Sequence, residues 1–552
     1  MKRSWKLAAL ALFFVALAAG GFASPQVLAL TDKARNTLQV YTELVSVAHD
    51  RYGAEISYRN LVYASIQGML RTLDPHTGFL PPRAYTGMRE RQQSSFFGLG
   101  ILVGVRDGQL TVISPIEGTP ASRLGMRAGD VISTIEGDPT DKMSLDEAVD
   151  KLKGPKGTDV HITIVRRGLS EPLALTVTRD EIPQTTVRLA YLLDSQTGYI
   201  QISDFARSTG SEVAQAITTL KGQGMKRLLV DLRNNGGGLL DQAIEVAGQF
   251  VPEGSKIVET RGRTRDSVQS YRASSDYKML DLPLVVLVNR GTASASEIVS
   301  GAIQDHDVGL VVGSPTWGKG LVQTVYSLSY GAGLALTTAK YYTPSGRLIQ
   351  RDYTSFYDYY NYDPVSGESS GDSDGGDGAA KPPPQAPGEA FHTDLGRAVY
   401  GGGGITPDVD VELPETTPFE QFLLSCSAFF QFAVDYENRH PVESCDWALP
   451  AGLLDEFAAW LVEEDLSTAD EVAEQLKSPE AREFSLRQIH AEIANAAFGQ
   501  QERHRVLAGS DRQIQEALKL FPKATTLLAQ RRDLDSGGTR QAELPAATTA
   551  RR

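Results

Sequence analysis

The stretch Pro283-Leu-Val-Val-Leu-Val-Asn-Arg-Gly-Thr-Ala-Ser-Ala-Ser-Glu297 runs from an apolar segment through a turn of small residues into a helical pattern. Leu284 to Val288 are five consecutive apolar residues between Pro283 and Asn289, which reads as a strand buried on both faces. A helix over 297–305 is expected next. Two other stretches repeat the arrangement. Arg227-Leu-Leu-Val-Asp-Leu232 leads into Gly236-Gly-Gly238 and a helical stretch from Leu239, and Gly309-Leu-Val-Val312 forms a third apolar run. Strands alternating with helices over 184–350 predict an α/β fold.

The chemistry sits in the turns. Small residues around Ser294 and Ser296 let a ligand approach the backbone, and a helix N-terminus there offers free N–H groups and a dipole that favours an anion. A tetrahedral oxyanion needs such a place. A plain N-cap serine would need nothing more. The functional reading gains from Lys319, enclosed in Trp317-Gly-Lys-Gly320 just before another strand. A desolvated lysine loses its proton more easily and can serve as the base a serine nucleophile requires. None of the eight histidines stands in a comparable position, and none has metal-ligand spacing. His306 reads as a charge at a helix C-terminus.

Three pattern matches carry no chemistry. Gly313-Ser-Pro-Thr-Trp-Gly-Lys-Gly320 nearly fits a phosphate loop, but Gly320 replaces the magnesium-binding Ser or Thr and Pro315 removes an N–H. Gly367-Glu-Ser-Ser-Gly371 lies in low complexity without a strand or helix around it. Ser275-Asp-Tyr-Lys278 lacks its companion K-T-G.

Around this centre the 552-residue chain divides by composition, and its length suits about three or four domains. Residues 1–23 read as a signal peptide: Lys2, Arg3 and Lys6, an apolar run from Leu7, then small residues. Left uncleaved, that segment would be the chain's only link to a membrane. Residues 30–93 read as helical, with Pro75 as a stop. Residues 94–183 show short alternating strands and one helix from a capping box at Ser144 and Glu147, which suits a small β-barrel. Residues 363–390 are a solvated insertion, 391–412 return to strand character, 417–528 are helical, and 533–552 form a disordered tail. The helical region has three open uses: assembly, docking a partner or capping the core. Cys426 and Cys445 could pair once in an oxidising compartment or stand as separate thiols. A net charge of −14 argues against nucleic acid.

Several blocks in order resemble the carboxyl-terminal processing peptidases, or tail-specific proteases. They are Leu73-Asp-Pro-His-Thr-Gly-Phe79, Asp231-Leu-Arg-Asn-Asn-Gly-Gly-Gly238, Gly291-Thr-Ala-Ser-Ala-Ser-Glu-Ile298, Gly318-Lys-Gly-Leu-Val-Gln323, Tyr341-Tyr-Thr-Pro-Ser-Gly-Arg-Leu-Ile-Gln350 and Gly404-Ile-Thr-Pro-Asp408. Phe97-Gly-Leu-Gly-Ile101 looks like the carboxylate-binding loop of a PDZ domain, and residues 118–132 look like the segment after that domain's binding strand. The resemblance implies a multidomain α/β protein: a helical N-terminal segment (30–93), a PDZ domain (94–183), a crotonase- or Clp-like serine-protease core (184–413) and a C-terminal helical extension. It implies Ser294 as nucleophile, chosen over Ser296 by the family's spacing of about 25 positions to the base, Lys319. Gln323 would orient that lysine. The oxyanion hole would be the N–H of Ala295 and of one glycine among 236–238, Gly237 being favoured. Relatives often carry proline where this chain has Gly236. Gly98, Leu99, Gly100 and Ile101 would bind the substrate's tail. The implied activity is that of an exported, periplasmic serine endopeptidase acting on unstructured apolar C-termini without metal or cofactor. An adaptor protein or self-association is a further possible partner. The alternatives are a non-catalytic PDZ scaffold and an acyl-transferring esterase.

Overall fold

The computed structural model describes residues 25–106, 108–274, 282–353, 359, 389–445 and 447–536. The expected signal peptide, nearly all of the 363–390 insertion, the pattern matches at 275–278 and 367–371, and the tail beyond 536 lie outside them. Two compact units emerge, Met1–Pro82 with Gln323–Thr337, and Arg83–Val322 with Thr338–Arg552.

In the first unit, helices Pro25–Arg51 and Tyr58–Arg71 match the expected helical segment, the second capped by Ser57 accepting from the Asn60 N–H. The Leu73-Asp-Pro-His-Thr77 turn is organised by Asp74. Its carboxylate accepts from the N–H groups of His76 and Thr77 and from the hydroxyls of Thr77 and Thr337. Burial works against that charge, but the four donors outweigh it and hold the carboxyl below its ordinary 3.8. Strand Gly78–Leu80 then pairs antiparallel with residues 333–335.

In the second unit, an antiparallel sheet runs in the order Ile101–Arg106, Gln109–Pro115, Val131–Ile135, Asp159–Val165, Leu173–Thr178, with Ser95–Gly98 paired to Asp180–Pro183 beside it. The capping box at Ser144 and Glu147 starts helix Leu145–Leu152 as expected, and Ala148 and Leu152 pack on Ile132, Val160 and Ile162.

A six-stranded sheet comes next, in the order Val187–Leu192, Thr197–Ile202, Arg227–Asp231, Leu284–Val288, Leu310–Gly313, Val409–Asp410. The first pair is antiparallel and the rest are parallel. Alternate side chains of the apolar runs feed two cores. Leu228, Val230, Leu284, Val286 and Val288 pack under helices Thr209–Gly222, Leu240–Gly248 and Ala295–Asp305. Leu229, Val285 and Leu287 face the other way, onto Ile514, Ala517, Phe521 and Ala524 of helix Arg512–Asp535. Of the uses left open for the helical region, this last helix caps the core.

The region expected as one helical block therefore splits. Residues 418–498 surround their own core of Phe429, Phe432, Phe457 and Ile489. Thr417 and Ser478 cap helices Pro418–Ser425 and Pro479–Phe498, each with proline in the first turn, as the sequence predicts. Of the stretch 391–412 expected to return to strand character, the strands Ala390–His392, Ala398–Tyr400 and Val409–Asp410 form. Cys426 and Cys445 are not joined in a disulfide. Among the described residues, no helix is long and apolar enough to cross a membrane.

Candidate active site

Strands Arg227–Asp231, Leu284–Val288 and Leu310–Gly313 are neighbours and parallel, so the three loops leaving their carboxyl ends meet at one edge of the sheet. Those loops carry Gly236-Gly-Gly238, Ser294 and Lys319.

Ser294 precedes helix Ala295–Asp305 with φ 56° and ψ −114°, a conformation a serine adopts only when its surroundings enforce it. The helix begins two residues before the expected 297. Ala295, as its first residue, has no intrahelical partner for its N–H. Gly237 lies tight against this turn. With φ at +99°, a Cβ placed there would come within 2.7 Å of Ser294 Cβ and 2.8 Å of Ala295 N. The glycine loop is shaped by Asn235, which donates from Nδ2 to Ile202 O and accepts the Gly237 N–H on Oδ1 at 2.9 Å. Asn235 O in turn accepts the Ala293 N–H and the Ser296 hydroxyl. Ser296 is fully buried, whereas Ser294 and Lys319 are half-buried.

Glu297 ties the loops together. Its side chain is completely buried. Oε2 accepts the N–H of Ser294 at 2.7 Å and of Lys319 at 2.9 Å, and Oε1 accepts the Thr316 hydroxyl at 2.5 Å and the Gly318 N–H at 2.8 Å. The phosphate-loop lookalike at 313–320 thus closes around a carboxylate of its own chain. Burial pushes this carboxyl up, against the pull of its four donors. A second bridge comes from Tyr341, whose hydroxyl faces Ser294 O at 3.0 Å and also contacts Lys319 O. Burial, then the Glu297 charge, raise that phenol well above 10 and keep it a donor. The remaining blocks fasten the lysine loop from behind. Gln350 Oε1 accepts the Gly320 N–H, Gly318 O accepts the Arg351 N–H, and Thr316 Oγ1 accepts the Ile405 N–H. Arg347, fully buried, pairs with Asp305 at the end of the Ser294 helix. His306, expected as a helix-terminal charge, caps that helix and is held by Asp394 and by Lys256 O.

Gln323 belongs to the first unit, where its Nε2 donates to His76 O at 2.5 Å. In the second unit, Gly98 ends a strand, Leu99 is buried, Gly100 has φ +80° and lies against Thr119, and Ile101 opens the edge strand Ile101–Arg106. Sequence reasoning missed the holding roles of Glu297, Tyr341 and Asn235. Ser294 and Glu297 have capping-box spacing, a signal that could have singled out Glu297. Nothing local marks Tyr341 or Asn235.

The family model for peptidase family S41 matches residues 196–355, which include Ser294, Lys319 and Gln323, and a PDZ-domain model matches residues 111–166. The chain is 40% identical over 316 residues to a carboxy-terminal-processing protease of Bartonella bacilliformis, covering 56% of this chain and 70% of that protein. The chain belongs to peptidase family S41. Other relatives in this serine-protease family include a carboxyl-terminal-processing protease of Synechocystis, 41% identical over 300 residues (53% of this chain, 69% of that one). The carboxy-terminal processing protease CtpA of Bacillus subtilis is 32% identical over 363 residues (64% and 76%). The S41 core of this chain therefore includes the three loops, while the 97–101 loop falls just before the PDZ match.

Proposed function

We propose that this S41 peptidase is exported, grips the C-terminal tail of an unstructured protein in its PDZ domain and cleaves the bound chain with Ser294 and Lys319. The tail adds as a strand along Ile101–Arg106, its terminal carboxylate received by backbone N–H groups of Gly98, Leu99, Gly100 and Ile101. Exposed Leu102 and Val105 on that strand suit an apolar tail.

Ser294 Oγ attacks a peptide carbonyl carbon as its proton passes to neutral Lys319 Nζ. The oxyanion takes hydrogen bonds from Ala295 N–H and from Gly237 N–H, which turns away from Asn235 Oδ1 to meet it. Lys319 then protonates the leaving nitrogen as the C–N bond breaks. Water attacks the acyl-enzyme, loses a proton to Lys319, and Ser294 recovers its own. Gln323, four positions on from the base, orients the lysine.

One observation carries this reading: the Ser294 and Lys319 main chains hang from a single oxygen of Glu297. The buried, engaged hydroxyl of Ser296 supports Ser294 as the nucleophile. The test is mass spectrometry of an apolar-tailed, disordered substrate incubated with each variant. Ser294→Ala and Lys319→Ala should leave it intact while Ser296→Ala shortens it. Cleavage by Ser294→Ala, or none by Ser296→Ala despite a native fold, overturns the assignment.

A further inference from the structure

Strand Ile101–Arg106 is the edge of its sheet. If the tail's carboxylate is held at 97–101, as the proposed function requires, the residues upstream of it must run along this strand toward Arg106. A strand advances about 3.3 Å per residue, so the fifth or sixth residue from the substrate's C-terminus arrives beside Arg106. Successive side chains point to opposite faces, so one of the two shares the face of Arg106.

A cavity of about 250 Å³ opens there between the Ile101–Pro115 hairpin and the C-terminal helices. Arg106 and Ile113 line one side, and Leu424, Phe430, Gln488 and Arg503 line the other. Its volume is below that of a typical small-molecule site and suits one or two side chains. Arg503 is already committed to Glu492 at 2.7 Å, and Glu492 also accepts from Asn495. Arg106 is different. Among the described residues, one terminal nitrogen donates to the neighbouring Val105 O and the buried Nε has no hydrogen-bond partner. The walls mix apolar side chains (Ile113, Leu424, Phe430) with polar ones, Glu492 among them but already taken up by Arg503 and Asn495, and a guanidinium lining such a cavity attracts a carboxylate. Ion pairs hold the helices against the small sheet, Arg167 contacting Asp435 and lying 3.8 Å from Glu464.

We infer that this cavity is a substrate subsite that selects tails with an acidic side chain five or six residues upstream of the C-terminus, Arg106 pairing with the carboxylate and Leu424 and Phe430 covering its stem.

Fluorescence anisotropy tests this with the full chain carrying Ser294→Ala and ten-residue apolar-ended peptides bearing Glu or Gln at those positions. The Glu peptides should bind about 5-fold tighter, a preference near 1 kcal/mol. Arg106→Gln should bind both alike, and Arg106→Lys should keep part of the preference. Equal affinities for wild-type Arg106, or a preference that survives Arg106→Gln, overturn the subsite. A C-terminally amidated Gln peptide separates this from the reading beneath it. If amidation leaves the affinity unchanged, tail recognition at 97–101 fails, and the subsite fails with it.

Discussion

Replacing Glu297 with glutamine keeps its shape and removes its charge. The carboxylate accepts four hydrogen bonds, two on each oxygen. Glutamine retains one oxygen for two of those donors and points an NH2 group at the other two. Two buried donors left unmet cost about 1–3 kcal/mol each. The cost cannot be absorbed by repacking around a fully buried side chain. It can be relieved by movement of the loops, because Ser294 and Lys319 are only half-buried and their freed N–H groups can reach water.

Movement is easy for Ser294, whose backbone at φ 56° and ψ −114° stores strain of about 1–3 kcal/mol. Once unclamped, the turn relaxes by that amount, so the aligned fraction and kcat fall about 5- to 150-fold. KM for a tail peptide should hold if, as proposed, the PDZ domain grips the tail. Stopped initial rates on a fluorogenic tail peptide, with urea unfolding in parallel, measure both. A kcat within twofold of the parent, in a protein shown to carry the substitution and to be folded, refutes the clamp. A fall in kcat that only tracks the unfolded fraction refutes it equally. The pH dependence gives an independent check. The Glu297 carboxyl is raised above 4.5, so in the window from 4.5 up to that raised value the folded state holds a proton the unfolded chain has lost. Stability falls there as pH rises, and Glu297→Gln removes that slope.

Gly237→Ala places a Cβ against Ser294 Cβ and Ala295 N at a φ that alanine avoids, so peptide turnover should fall about 100- to 1000-fold while tail binding, read by anisotropy, persists. His504 sits between two phenols. Tyr199 donates its proton to Asp231, so His504 Nε2–H donates to Tyr199 and Nδ1 accepts from Tyr191, which requires a neutral ring. Burial depresses this imidazole below 6.5, so stability is intact above 6.5 and falls as pH drops from there through the depressed pKa; the urea midpoint should show that slope, and His504→Gln should flatten it. Asp394 accepts from His306 and pairs with Arg531 of the last helix. Burial resists the Asp394 charge, but the His306 hydrogen bond and then the Arg531 charge outweigh it and hold the carboxyl below 3.8. Arg531→Gln should therefore destabilise at neutral pH, with the difference from the parent vanishing as pH falls below that range.

The strands and their order of chemistry were legible because both are local. Leu284 to Val288 announce a buried strand by composition alone, and Thr417-Pro418 and Ser478-Pro479 announce helix starts by capping chemistry. The fate of the last helix was not. Five apolar residues in a row demand cover on both faces, yet the α-helices described between strands Thr197–Ile202 and Leu310–Gly313 (Thr209–Gly222, Leu240–Gly248 and Ala295–Asp305) all pack on one face. A second cover was thus implied by Val285 and Leu287, but nothing in the local pattern of residues 512–535 distinguishes a helix that closes a distant sheet from one that joins the bundle beside it. The candidate active site divides the same way. Ser294 and Lys319 stand out because glycines and small residues surround them, a local signal. What aligns them is Glu297, buried at a position where its spacing from Ser294 already had a complete explanation as a helix cap. Its carboxylate gains a wider meaning only because strands 284–288 and 310–313 are adjacent, which brings the Thr316–Lys319 loop within reach of the same two oxygens. Strand adjacency is a long-range property, so a single sequence can propose the reacting pair while leaving the group that registers them hidden in plain view as an ordinary N3 glutamate.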